Sequence, residues 1–156
     1  HDPHEALAIC DRIAIMKNGV IQQYSNPSEI VSTPSNDFVA TFVLQKNILP
    51  ISFLNNLYST VIGKLNLSEN TLISRESVCI FDRKSVFIDY NSKGIFKVTA
   101  KEYRIDHFIL TVTLEGFKIQ VETDLNSVLN IGDMCNIKYL SGQEFLVLPE
   151  KIKSFF

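Results

Sequence analysis

The chain has 156 residues, 46% of them hydrophobic and 21% charged, and carries a formal net charge of −2. That length holds one ordinary domain, or one small domain with part of another, and the apolar fraction supports a packed core rather than disorder. The weakly acidic balance excludes bulk electrostatic attraction to nucleic acid, and the longest apolar stretches, such as Phe108 to Leu114, fall far short of the roughly 20 residues of a membrane-spanning helix.

The first helix signal is immediate. Asp2 is placed to cap, Pro3 suits the first helical position and Glu5 the third. Ala6, Leu7 and Cys10 follow at helical spacing, which predicts a helix ending near Asp11. Arg12 to Lys17 and Val20 to Tyr24 read as two strands around Asn18-Gly19, a pair that tolerates the positive φ of a tight hairpin. Asn26-Pro27-Ser28-Glu29 repeats the capping pattern and predicts a short helix to about Ser32. Pro34 interrupts, and Ser35 is the expected cap of a further helix with Phe38, Val39, Phe42 and Val43 on one side.

After about Lys46 the periodicity shifts from helical to period two. Phe96, Val98 and Ala100 alternate with Lys97, Thr99 and Lys101. Phe108 to Leu114 and Phe117 to Val121 flank a tight turn at Glu115-Gly116; Cys135, Ile137 and Tyr139 alternate with Asn136 and Lys138; Glu144 to Leu148 forms a last strand. The expected class is α+β, mainly β: short helices and a hairpin over residues 1–46, then a small barrel or sandwich over 47–156. The three cysteines are an odd number with no Cys-x-x-Cys pair, so Cys10, Cys79 and Cys135 are expected as buried small hydrophobes in a reducing cytoplasm, not as a disulfide framework or zinc site. The opening His-Asp-Pro-His lacks the basic and then apolar pattern of a secretory leader, so the chain is expected to be soluble and to reach a membrane only through a partner. It opens on His1 rather than Met, inside a motif, and is expected to be cut from something longer.

That motif runs from His1-Asp2-Pro3-His4-Glu5-Ala6-Leu7 through Asp11-Arg12-Ile13-Ala14-Ile15-Met16-Lys17-Asn18-Gly19 and Asn26-Pro27-Ser28-Glu29-Ile30 to Phe38-Val39-Ala40. It closely resembles the stretch that closes the ATPase domain of ABC importers. The remainder resembles the small OB-like regulatory domain, often called TOBE, that follows the ATPase in importers for ferric iron, polyamines, sulfate and sugars. Asn47-Ile48-Leu49-Pro50 matches the family's Asn-x-Leu-Pro opening, and Asn130-Ile131-Gly132-Asp133 its Pro-Gly-Asp turn before the penultimate strand. The family's Arg-Pro-Glu is replaced by Phe81-Asp82-Arg83, and a Gly expected after the Tyr103 region is Ile105 or Asp106.

The resemblance implies that His1 is the switch histidine of the intact ATPase, reaching the γ-phosphate and the attacking water. It implies ATP and magnesium as cofactors of the longer parent. In this chain no Gly-x-x-x-x-Gly-Lys-Ser/Thr cradles phosphates and no apolar strand ends in Asp-Glu, so no activity is expected of it alone. Leu140-Ser141-Gly142-Gln143 resembles the family's Leu-Ser-Gly-Gly-Gln but lacks a Gly and follows the histidine, so it reads as a turn. His4 reads as a solvent-facing helix residue and His107, beside Asp106 at a strand end, as part of a surface loop; no metal site is expected. Phe81, Phe87, Tyr90, Phe96, Tyr103 and Phe108 read as core packing rather than base-stacking positions, because Asp82, Asp89, Glu102 and Asp106 balance the neighbouring cations.

The expected function is a regulatory and dimerisation piece of an importer ATPase subunit, cytoplasmic and held at the inner face of the membrane by transporter subunits. Its expected partners are those subunits, a second copy of itself, and a small ligand or oxyanion at the barrel; nucleic acid is not expected. Ferric iron is the first solute expected, with polyamine, sulfate, molybdate and sugar open. The alternative is a free-standing OB-type binder of a small ligand or nucleic acid.

Overall fold

The structure is a computed structural model that describes residues 2–67, 71, 73–74, 76–90, 93–143 and 145–148. Helix α1 spans Pro3–Ile9, with the Asp2 carboxylate accepting from the His4 N–H at 2.8 Å. It ends before the expected Asp11 and buries no residue, so Cys10 is exposed rather than the buried hydrophobe expected of it. Strands β1 (Ile13–Lys17) and β2 (Val20–Ser25) pair antiparallel, and both turn residues take positive φ, Asn18 at 51° and Gly19 at 79°. Helix α2 spans Pro27–Ser32; the Asn26 side chain accepts from the Glu29 N–H at 2.9 Å, and Ile30 is fully buried.

The next helix departs from expectation. Asn36, not Ser35, is the cap: its side-chain oxygen accepts from the Val39 N–H at 2.9 Å. Ser35 is drawn onto β2, its N–H donating to the Gln23 side chain and its hydroxyl to the Gln22 carbonyl. Val39–Val43 then form a π turn, closed by the Leu44 N–H donating to the Val39 carbonyl at 3.1 Å. The wider turn returns Val43 over Val39 and carries Phe42 off that face, leaving Phe42 67% exposed. Ile15, Ile30, Val39 and Val43 form a small core, flanked by Leu7, Ile13, Phe38 and Leu44.

The second core is larger. It is built by β3 (Asn47–Pro50), β5 (Leu57–Ser59), β6 (Val78–Phe81), β7 (Val86–Asp89), β8 (Phe96–Tyr103), β9 (His107–Leu114), β10 (Phe117–Asp124), β11 (Met134–Tyr139) and β12 (Leu146–Leu148), while β4 (Ser52–Leu54) is exposed. A five-stranded sheet runs β10-β9-β8-β11-β7, a three-stranded sheet runs β12-β6-β3, and β4 pairs with β5. Glu115 and Gly116 make the expected tight turn, with φ of 49° and 90°. Leu140 to Gln143 lie in the turn between β11 and β12, as expected, and the Asn130 to Asp133 turn precedes β11. Glu144, the expected first residue of the last strand, lies outside the described residues.

The class is α+β and mainly β, as expected, but no closed barrel forms among the described strands. At the seam between β3 and β10 a side chain replaces the ladder. The buried Asn47 amide donates to the Gln120 carbonyl and its oxygen accepts from the Gln120 N–H, both at 2.8 Å. One asparagine thus presents to β10 the donor and acceptor that a neighbouring strand would. Elsewhere a glycine sets the approach: a Cβ on Gly94 would run into the Cys135 backbone, so only glycine lets the chain enter β8 against β11. Phe81 and Phe96 are buried as expected, whereas Phe87, Tyr90 and Tyr103 are exposed. Strand alternation turns Phe87 outward between Val86 and Ile88, Tyr90 follows the end of β7, and Tyr103, in register with Phe108, packs edge-on to it at the end of β8, beyond the core.

Candidate functional site

A group of charged and polar side chains converges where the small core meets the larger one. After the π turn, the Lys46 N–H donates to the Ala40 carbonyl at 2.9 Å, and Gln45 takes a φ of 53° to redirect the chain into β3. Asn47 then clamps β10. On β10 the core residues Ile119 and Val121 alternate with Lys118, Gln120 and Glu122, so the latter three share the face turned toward residues 41–46. The 3-10 turn Arg83–Ser85 brings Arg83 to the same place, and the end of β8 contributes Glu102 and Arg104.

The result is a cleft of about 620 Å³, whose charged lining is Lys46, Arg83, Arg104 and Lys118 against Glu102. Thr41, Gln45 and Gln120 add neutral polar groups, and Phe42 and Ile48 an apolar edge. Gln45, Arg83 and Arg104 also line a neighbouring cleft of about 490 Å³ that reaches His4, Lys84, His107 and Glu122. Three ion pairs and a histidine–carboxylate hydrogen bond organise the rim. Arg104 binds Glu102 at 3.0 Å, Lys84 binds Glu122 at 3.2 Å, Lys46 lies 3.7 Å from Asp82, and His107 Nδ1 lies 2.7 Å from Asp106.

Arg83 is the exception. Its Nε is shut off from solvent and has no hydrogen-bond partner. Burial lowers its pKa most; the nearby Arg104 lowers it further, while Glu102 and Glu122 raise it. Those carboxylates supply field without a hydrogen bond to Arg83 Nε; Glu102 engages Arg104 and Glu122 engages Lys84. A buried guanidinium nitrogen left in this state is costly.

His1, the expected switch histidine, lies outside the described residues. His4 is exposed, as expected, and sits at the edge of the second cleft. His107 opens β9, at the strand end expected of it rather than in a surface loop, with its side chain 26% exposed and its Nε2 4.0 Å from Glu122. Sequence reasoning missed Arg83, Arg104, Lys118 and Gln120 as a group. The replacement of the family's Arg-Pro-Glu by Phe81-Asp82-Arg83 was the one signal pointing there.

With this geometry in place, comparison with known proteins defines the class. No family model matches the chain. It is 33% identical over 128 residues to the spermidine/putrescine import ATP-binding protein PotA of Mesomycoplasma hyopneumoniae, covering 80% of this chain and 29% of that protein. It is 30% identical over 152 residues to the Fe(3+) ions import ATP-binding protein FbpC of Fusobacterium nucleatum, covering 96% of this chain and 35% of that protein. It is also 34% identical over 129 residues to PotA of Malacoplasma penetrans, covering 78% of this chain and 22% of that protein. The homologues of this chain are thus ABC importer ATP-binding proteins, and its small β-rich fold is consistent with a C-terminal piece of one. The chain spans between 22% and 35% of the length of these relatives.

Proposed function

We propose that the chain is the C-terminal regulatory and dimerisation segment of an ABC importer ATP-binding subunit. Residues 1–46 close the ATPase domain and residues 47–156 form an OB-like regulatory unit. The observation that carries this reading is the alignment of 96% of the chain with an importer ATP-binding protein. The two separate cores, meeting at Lys46 and Asn47, support the division. In the longer parent, ATP and magnesium are the cofactors, the permease subunits are the partners, and the complex sits at the inner face of the membrane. Among the described residues no helix is long and apolar enough to cross a membrane, which fits attachment through those subunits. His1 holds the attacking water at the γ-phosphate. Ferric iron is the first solute to test and polyamine the second, since relatives of both names align.

The test is ATP hydrolysis by the full-length protein and by this chain. The full-length protein hydrolyses ATP, this chain neither binds nor hydrolyses it, and His1→Ala in the long form lowers kcat by 10²-fold or more, on the order expected when a transition-state contact is lost. A full-length protein inert toward ATP would overturn the reading.

A further inference from the structure

The cleft around Arg83 combines three features that each call for an anionic ligand. Its charged lining is four cations to one carboxylate. Arg83 lines the cleft and has no ion-pair partner among the described residues. Lys118, on the outward face of β10, has no ion-pair partner among the described residues. Arg104 uses one terminal nitrogen on Glu102, and its side chain is 50% exposed, so donors of its five-donor fork remain for a second acceptor.

Size distinguishes the kind of anion. A volume of about 620 Å³ lies within the roughly 300–1,000 Å³ of small-molecule sites and exceeds what a lone inorganic oxyanion fills. The cations enter from separate elements: Lys46 before β3, Arg83 after β6, Arg104 after β8 and Lys118 on β10. A ligand with several negative groups meets more of them than a single compact charge can. Guanidinium forks match the planar carboxylate and the phosphate oxygens, and the side-chain amides of Gln45 and Gln120 supply neutral donors.

We propose that this cleft binds a small organic polyanion carrying carboxylate or phosphate groups. Such a ligand touches the larger core through Arg83, Arg104 and Lys118 and the smaller one through residues 41–46. Binding therefore favours one arrangement of the two cores, by as much as its affinity differs between arrangements. Only this regulatory consequence rests on the reading given under Proposed function; the binding itself does not.

The experiment is titration calorimetry on the whole chain with citrate, inorganic phosphate and, as an opposite-charge probe, spermidine. Ionic strength is held constant with sodium chloride. Citrate is expected to bind saturably at one site with a Kd below about 1 mM and more tightly than phosphate; spermidine gives no saturable heat. Arg83→Gln weakens citrate roughly tenfold or more, the loss expected for one charge-assisted contact. Lys118→Gln, at an exposed position that the fold tolerates, weakens it by about threefold or more and serves if the Arg83 variant does not fold. Absence of saturable citrate binding, unchanged affinity in the variants, or saturable binding of spermidine overturns the proposal, and binding of phosphate alone overturns the organic assignment. ATP hydrolysis is not a readout here, so an inert full-length protein leaves this result standing and the reverse holds too.

Discussion

Cys10, Cys79 and Cys135 share one chemistry and differ in surroundings. Cys79 and Cys135 are fully buried in the larger core, while Cys10 lies exposed beyond α1. Burial pushes the Cys79 thiol up to about 12; burial and then Asp133 push Cys135 to about 11. Tyr139 is also raised by burial, against the lowering effect of its 2.7 Å hydrogen bond with Thr60. Their ordinary values, 9.0 for the thiols and 10.0 for the phenol, describe the unfolded chain. As pH rises past 9, the unfolded chain loses these protons while the folded chain keeps them. Unfolding then releases protons, so stability is full below about pH 9 and falls as pH climbs toward 11 and 12. The expected outcome is a urea midpoint insensitive to these groups at neutral pH and dropping steadily above about pH 9. At neutral pH a thiol reagent labels Cys10 rapidly and the other two only after unfolding; rapid labelling of all three would contradict the burial described.

At the scale of elements, β9 and the Asn47 seam explain why period-two reading works only in part. Ile109, Leu110, Thr111 and Val112 are all buried, although strand alternation alone would expose every second one. Leu110 and Val112 face the core. Ile109 lies on the opposite face, in register with Glu122 and Glu102, where it lines the second cleft. A central strand covered on both faces reads as a continuous apolar run, as Phe108 to Leu114 does. The seam depends on one side chain. Asn47→Ala removes both bonds to Gln120 and leaves a backbone N–H and carbonyl without partners, so an unfolding cost of about 2–4 kcal/mol is expected. Asn47→Asp keeps the acceptor and loses the donor, placing a carboxylate against the Gln120 carbonyl. Urea denaturation measures both. A loss under about 0.5 kcal/mol for Asn47→Ala, no more than an ordinary surface change, would show that the seam is held by packing alone.

For the whole molecule, the β1–β2 hairpin has no neighbouring strand among the described residues, and it carries an apolar outer face. Met16 and Ile21 pair across it, 56% and 58% exposed, with Tyr24 56% exposed beside them. Open edges of this kind recruit further strands. The isolated chain is therefore expected to self-associate in sedimentation velocity as its concentration rises, and Ile21→Lys to suppress this; a clean monomer at high concentration would count against the dimerisation reading. The sequence by itself determined what depends on neighbours along the chain: the caps at Asp2 and Asn26, the turns at Asn18-Gly19 and Glu115-Gly116, the change of periodicity near Lys46, and the kinship with importer ATPases. The caps and turns are set by backbone dihedrals and hydrogen bonds within a few residues, and the kinship by the order of residues along the chain. Only the tertiary structure decided that Ser35 yields its cap to Asn36, that a side chain rather than a ladder closes the β3–β10 seam, and that Lys46, Arg83, Arg104 and Lys118 converge. Each of these joins groups from separate elements, and no local preference encodes which distant partner a lysine or arginine will face.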